Sequence, residues 1–229
     1  MIEINGQLNA IQREVRRCPV ASGEGIGVLV RRDYAAPIGD VWTALTDPDR
    51  LKRWFLPVSG ELRAGGTFQT EGNAGGEILR CEAPRLLRVT WGGETSVVEL
   101  RLAPTSDIAT TLELDHTVPI EMAGSGAGAL FVGPGWDSAL MALGLYLGGE
   151  MGADPIAAAN SPEMQEFSRQ SVHAWVGAIE ASGTATAEEI ATMSAMVMEQ
   201  WAPDSAPLPD NYHRFLDPIV LIDRRGVGA

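Results

Sequence analysis

An α+β fold is the class this sequence predicts, and three observations predict it. The apolar segment VLVRRDY runs straight into two short helices that end near residue 55. A series of short alternating segments, divided by turn residues, fills 55–116. A longer apolar helix follows from about Trp136 to Leu147. Strand, paired helices, a run of strands and a closing helix make an α+β order rather than an alternating α/β one.

The two short helices have legible starts. Pro37 suits a first helical turn, where its missing N–H would have had no partner. Asp47 followed by Pro48 is a second start, with a carboxylate placed to cap free amides. Val41, Trp42 and Leu45 recur three to four apart, as do Leu51, Trp54 and Phe55, so each helix has one apolar face. Turns are predicted at Gly65-Gly66, Gly72 to Gly76, Ala83-Pro84, Gly92-Gly93 and Pro104 to Asp107, a spacing that fits a meander. Between Thr95 and Ala103, Val98, Leu100 and Leu102 share a face opposite Glu99 and Arg101. In the next strand Ile108, Thr110, Leu112, Leu114 and His116 alternate with Thr111, Glu113 and Asp115. This period of two marks a sheet with one buried side.

Residues 119–134, rich in Gly, Ala and Ser, read as a flexible loop. Trp136, Leu140, Leu143 and Leu147 then form the stripe of the long helix. Further on, Ser161-Pro162-Glu163 starts a helix carrying Phe167, Ser171, Ala174, Trp175 and Ala178 at helical spacing. Thr186 and Glu189 form a capping box for another, bearing Ile190, Met193, Val197 and Trp201. The short ASGTAT connection makes the pair an antiparallel hairpin. The proline-rich stretch 203–218 is expected to wrap the surface.

The ordered pieces Ala36-Pro37, Val41 to Pro48, Leu51, Trp54, Gly65-Gly66-Thr67-Phe68, Pro84 with Leu87 and Thr90-Trp91, Leu112 to His116, and Gly135-Trp136 with Leu140 span roughly residues 26–150. In that order they resemble the SRPBCC superfamily of START- and Bet v1-like domains, in its branch named after the activator of the Hsp90 ATPase. The resemblance implies a helix-grip fold: a curved antiparallel sheet around a long helix and an apolar cavity. It divides the chain into an arm or leading strand at 1–23, a helix-grip domain at 24–152, and a C-terminal helical extension and tail at 153–229. It does not fix function, because binding proteins, enzymes and co-chaperones share the superfamily.

The cavity that this fold implies is expected to be walled by Trp54, Phe68, Trp91, His116, Trp136 and Leu140. Phe68 lies on the strand after Gly65-Gly66. Trp91 ends a strand on the face of Leu87 and Val89, and Leu140 lies one turn beyond Trp136. His116 reads as a buried histidine bonded to a neighbour, as a polar anchor that orients a ligand, or as a proton-transfer group. As an anchor, its replacement by leucine would alter ligand choice more than stability. Trp42 reads as core. Trp175 and Trp201 are expected to fix the hairpin to the domain, or else to form a homodimer contact.

Composition bounds the rest. The chain has 229 residues, 45% of them hydrophobic, and a net charge of −13. That charge argues against nucleic acid and anionic membranes, which need clustered cations. One lysine, Lys52, stands against sixteen arginines, which with the abundant Ala and Gly reads as a GC-rich coding bias of the kind bacteria show. Cys18 and Cys81 are the only cysteines and have no tight spacing, which suggests a reducing, cytoplasmic setting. The first residues read as no signal peptide, since Arg13, Arg16 and Arg17 are not followed by an apolar run. The apolar run at Ala139 to Leu147 is too short to span a bilayer.

His116, His173 and His213 show no metal-ligand spacing, there is no G-x-S-x-G elbow, and no cofactor motif is expected. Gly124-Ser125-Gly126 with Ala129 imitates a dinucleotide fingerprint, but the helix starts too late and no acidic residue follows at the right distance. The cavity that the resemblance implies makes a non-catalytic protein that binds a small hydrophobic ligand the leading expectation. A cyclase- or hydrolase-like enzyme would need a second titratable group beside His116. Hsp90 co-chaperone action, or another interaction role, ranks behind: residues 1–23 lack the Asn/Trp-rich motif of the eukaryotic co-chaperones.

Overall fold

The computed structural model of the chain describes residues 3–151 and 161–202. The stretch 203–218 and His213 lie outside the described residues. Eight antiparallel strands form one sheet in the order β1-β2-β8-β7-β6-β5-β4-β3. They are β1 (Ile11–Val20), β2 (Gly23–Tyr34), β3 (Val58–Gly60), β4 (Thr67–Thr70), β5 (Gly75–Glu82), β6 (Leu86–Thr90), β7 (Val97–Ser106) and β8 (Ala109–Pro119). Residues 11–20, which the sequence left open between strand and arm, are thus a sheet edge, with Val15 opposite Val28. Strands β3 to β8 run as a meander, and β8 returns beside β2 with His116 opposite Val28.

A short helix α1 (Ile4–Asn9) precedes the sheet, and α2 (Ile38–Thr46) and α3 (Pro48–Leu51) link β2 to β3. Pro37 caps α2, and the Asp47 carboxylate accepts the Asp49 amide at 2.8 Å at the start of α3. Alternation holds through β7 and β8: Val98, Leu102, Leu112, Leu114 and His116 are buried while Arg101 is exposed. It fails at Ile108, which is 73% exposed. The β7–β8 register shifts between Pro104 and Ser106, so the strand period does not carry through the turn.

The segment 119–134 corrects the expectation of a flexible loop. It folds into α4 (Ile120–Ala123) and a 3-10 turn (Gly126–Phe131), in which Gly126, Ala127, Ala129 and Leu130 are buried. Its small residues are required by close packing. A Cβ on Gly126 would lie 1.8 Å from Thr184 Oγ1, closer than atoms can approach. The long helix α5 (Gly133–Leu147) crosses the concave face of the sheet. The Tyr34 hydroxyl of β2 donates to the Leu140 carbonyl of α5 at 2.9 Å. The apolar stretch Gly126–Leu147 is mostly buried within the fold.

The C-terminal hairpin is α6 (Pro162–Ser182) and α7 (Ala187–Trp201), with the expected capping box at Thr186 and Glu189. It lies on the domain: α6 touches α5, β1 and the 3-10 turn, and α7 touches the 3-10 turn. Trp175 and Trp201 are fully buried. The Trp201 indole donates to the Leu130 carbonyl at 3.2 Å, and the Trp175 indole to Asp137 Oδ2 at 3.1 Å. Trp175 stacks so closely on Gly133 that a Cβ there would fall 2.4 Å from its Cε2.

Candidate functional site: an apolar cavity under the long helix

Between α5 and the concave sheet lies a cavity of about 170 Å³. Its floor is the inward-facing set of β6 to β8: Leu87 and Val89, Val98 and Leu100, Leu112 and Leu114. Its roof is the face of α5 that carries Trp136, Ala139, Leu140 and Leu143. Leu45, Leu51, Trp54 and Phe55 of the α2–α3 region close one side, and Phe68 and Ile78 lie on another. Leu62 and Cys81, both exposed, are at the rim with Arg63, so the space opens to solvent there. The strand period of two and the helix period of 3.6 converge on one space because the sheet curves around α5.

Aromatic rings form a connected wall. Ring centroids are 5.5 Å apart for Trp54–Phe55, 6.4 Å for Phe55–Trp91, 5.9 Å for Phe68–Trp91 and 5.4 Å for Trp91–Trp136. These tilted contacts are the favoured aromatic geometry. Most polar groups on the wall are spent locally. The Thr46 hydroxyl donates to the Trp42 carbonyl at 2.8 Å, and the Thr70 hydroxyl donates to the Ala74 carbonyl at 2.5 Å. Arg63 pairs with Glu61 on the surface at 2.6 Å.

Of the six residues expected to surround the space, Trp54, Phe68, Trp91, Trp136 and Leu140 line it. His116 does not: it lies behind the Trp136 indole, 2% exposed, with ring centroids 5.8 Å apart edge-on. Both of its nitrogens are occupied. The Trp136 indole N–H donates to Nδ1 at 3.1 Å, which leaves the proton on Nε2, 2.8 Å from Ser96 Oγ. Burial pushes its pKa down to about 4, so the ring is neutral at pH 7. The ligand-anchor reading of His116 is thereby corrected. The last inward residue of β8 meets the N-terminal turn of α5, not the open space, and its bonds hold Trp136 in place as part of the roof.

Sequence reasoning missed Phe55 as a wall residue, although its helical spacing with Leu51 was visible. It also missed a second buried cluster on the other face of α5. Asp137, fully buried, receives Arg13 Nε at 2.8 Å, Ser171 Oγ at 2.5 Å and the Trp175 indole, all on Oδ2. Burial pushes its carboxyl above the usual range, against the pull of Arg13 and the Ser171 and Trp175 donors. The available signal was a single charge within GPGWDSALMALGLYL, an otherwise uncharged helix. This cluster joins β1, α5 and α6, and it is separate from the cavity wall.

The chain is similar to known structures over this same framework. The crystal structure of CalU16 from Micromonospora echinospora is 39% identical, covering 74% of this chain and 98% of that one, with a TM-score of 0.63. The solution structure of the same protein is 40% identical over 75% of this chain and 96% of that one, also at 0.63. A conserved protein of unknown function from Enterococcus faecalis, 18% identical over 76% of this chain and 95% of that one with a TM-score of 0.56, shares the fold. No curated protein matches the chain. The family described as "Activator of Hsp90 ATPase homolog 1-like protein" matches residues 35–148, the segment that builds α2, the meander, the cavity and α5. With that match and a near full-length relative at 39% identity, the chain belongs to the activator of Hsp90 ATPase homolog 1-like family, in the helix-grip fold of SRPBCC domains.

Proposed function

We propose that this protein binds a small hydrophobic molecule in the cavity under α5, without catalysing a reaction on it. The observation that carries the reading is the wall itself: aliphatic and aromatic side chains around about 170 Å³ of free space. An apolar pocket of this kind favours an apolar guest, because its lining gains contacts that water cannot supply. Among the described residues the wall holds no carboxylate and no histidine. Acid–base chemistry would need a titratable group held within reach of a substrate, and the thiol on the wall, Cys81, lies exposed at the rim. His116, the residue on which an enzymatic reading depended, is neutral, bonded and behind the wall. Two free cysteines without a disulfide accord with action in the cytoplasm.

Native mass spectrometry of freshly purified protein should reveal a co-purified small molecule, and neutral 1-aminonaphthalene should bind with a change in tryptophan fluorescence. Ala139 faces the cavity, so Ala139→Phe should fill it and abolish dye binding while the fold is kept. A wild-type protein that carries no guest and binds no neutral aromatic at millimolar concentration would refute the reading.

A further inference from the structure

Among the described residues that line the cavity, Arg63 alone carries a charge at neutral pH. It stands at the rim beside Leu62 and Cys81, where the space opens to solvent. The turn that carries it has a fixed shape. Gly65 has φ +78°, in the left-handed region that favours glycine. A Cβ on Gly66 would lie 2.0 Å from the Glu61 carbonyl oxygen. The turn is pinned to β5, which also carries Cys81: the Gly65 amide donates to the Ile78 carbonyl and the Ile78 amide to the Gly66 carbonyl, each at 2.8 Å. The Arg63 head is loosely engaged by contrast. Its side chain is 70% exposed and its Nη2 bonds Glu61 at 2.6 Å. Such a surface pair is worth about 1 kcal/mol at most. A guanidinium has five N–H donors, so the bond to Glu61 leaves others for a second acceptor. Deeper in, the wall has no place for a guest's polar end. The Thr46 and Thr70 hydroxyls are committed to backbone carbonyls, and an unbonded polar group there costs about 1–3 kcal/mol.

We propose that the guest is an amphiphilic monocarboxylate, with an apolar body of one ring and a short chain under α5 and its carboxylate at the rim on Arg63. This rests on the binding function proposed above and adds the guest's chemistry to it. A carboxylate suits the position because its two oxygens match two parallel N–H bonds of a guanidinium. One negative charge is the limit: Arg63 is the single cation at the rim, Glu61 stands beside it, and the net charge of −13 opposes a second. Size agrees, since a cavity of roughly 150 Å³ accepts benzene, and this one measures about 170 Å³ and is open where the chain would emerge.

3-Phenylpropanoate and 3-phenylpropanol test the inference, because they share one body and differ in a charged against a neutral head. Each is titrated against 1-aminonaphthalene bound to the full chain, and displacement is read by fluorescence at neutral pH. Arg63→Gln removes the charge and keeps most of the stem. It should weaken the acid about fivefold more than the alcohol, a difference of about 1 kcal/mol, and Arg63→Glu should widen that difference. In 15N-labelled wild type, the Arg63 Nε–H resonance should move with the acid and stay still with the alcohol. If the dye binds and the acid does not displace it, if Arg63→Gln weakens acid and alcohol equally, or if the resonance ignores the acid, the carboxylate reading is overturned while the cavity reading stands. If neither the dye nor either molecule binds the wild type, both fall. Should Arg63→Gln not fold, the wild-type resonance decides alone.

Discussion

Replacing Asp137 tests how the C-terminal hairpin is joined to the domain. Its Oδ2 gathers donors from β1 and α6 at zero exposure, and the Arg13 side chain is only 9% exposed. Asp137→Ala would leave a buried guanidinium unpaired, at a cost of about 3–5 kcal/mol. The orphaned Ser171 hydroxyl and Trp175 indole would add about 1 kcal/mol or more each. That loss rivals the total stability of many domains, about 5–15 kcal/mol, so Asp137→Ala is expected to accumulate unfolded. Asp137→Asn keeps the shape and one acceptor. It removes the counter-charge of the buried Arg13 guanidinium and downgrades the Ser171 and Trp175 bonds to neutral ones, and should lose about 2–3 kcal/mol. Urea unfolding at pH 7, followed by tryptophan fluorescence and by circular dichroism, measures both. The double variant Arg13→Met/Asp137→Leu should be more stable than Asp137→Leu alone, because it removes both charges together. An Asp137→Asn protein within 0.5 kcal/mol of wild type, or a double variant whose loss equals the sum of its singles, would refute the account.

Other outcomes follow from the same geometry. Gly133→Ala places a methyl group 2.4 Å from the Trp175 ring, so the helices must part, and thermal unfolding should report a loss of about 1–3 kcal/mol. His116 has a depressed pKa, from 6.5 to about 4, so the unfolded chain binds its proton first. Its contribution is complete above pH 6.5 and is lost as pH falls towards 4, by about 3 kcal/mol. Comparing wild-type and His116→Gln unfolding midpoints at pH 7.5 and 4.5 isolates it; a constant gap between them would refute the assignment. His116→Leu should now lower stability, because the Ser96 hydroxyl and the Trp136 indole lose their partner. Thr186→Ala removes the capping box of α7 and should cost about 1 kcal/mol in the same assay. With a net charge of −13, the protein should pass unretained over duplex DNA at physiological salt.

Much of the fold was legible because local rules and tertiary needs agree. Pro37, Asp47, Ser161 and Thr186 mark helix starts by local rules: Asp47, Ser161 and Thr186 make capping bonds within a few residues, and Pro37 stands at the N-cap of α2 without one. The alternation in β7 and β8 names the buried face, since a strand with one face in a core has a fixed period. Most of the cavity wall followed, because an inward position on a curved sheet is also a wall position. Three things were not legible. Residues 119–134 looked like a loop because small residues mark both flexible chain and close packing, and only the nearness of Thr184 and Trp175 tells them apart. Asp137 was a single charge in an apolar helix, and its partners Arg13 and Ser171 lie 124 and 34 residues away. His116 read as the single polar wall residue, and Trp91 as an aromatic one. The sequence by itself determined the fold, the inward faces and the apolar character of the space. The tertiary structure decided what the polar edge of His116 meets: α5 brings the Trp136 indole to it, and a hydrogen bond depends on where two distant elements cross, which no local pattern encodes.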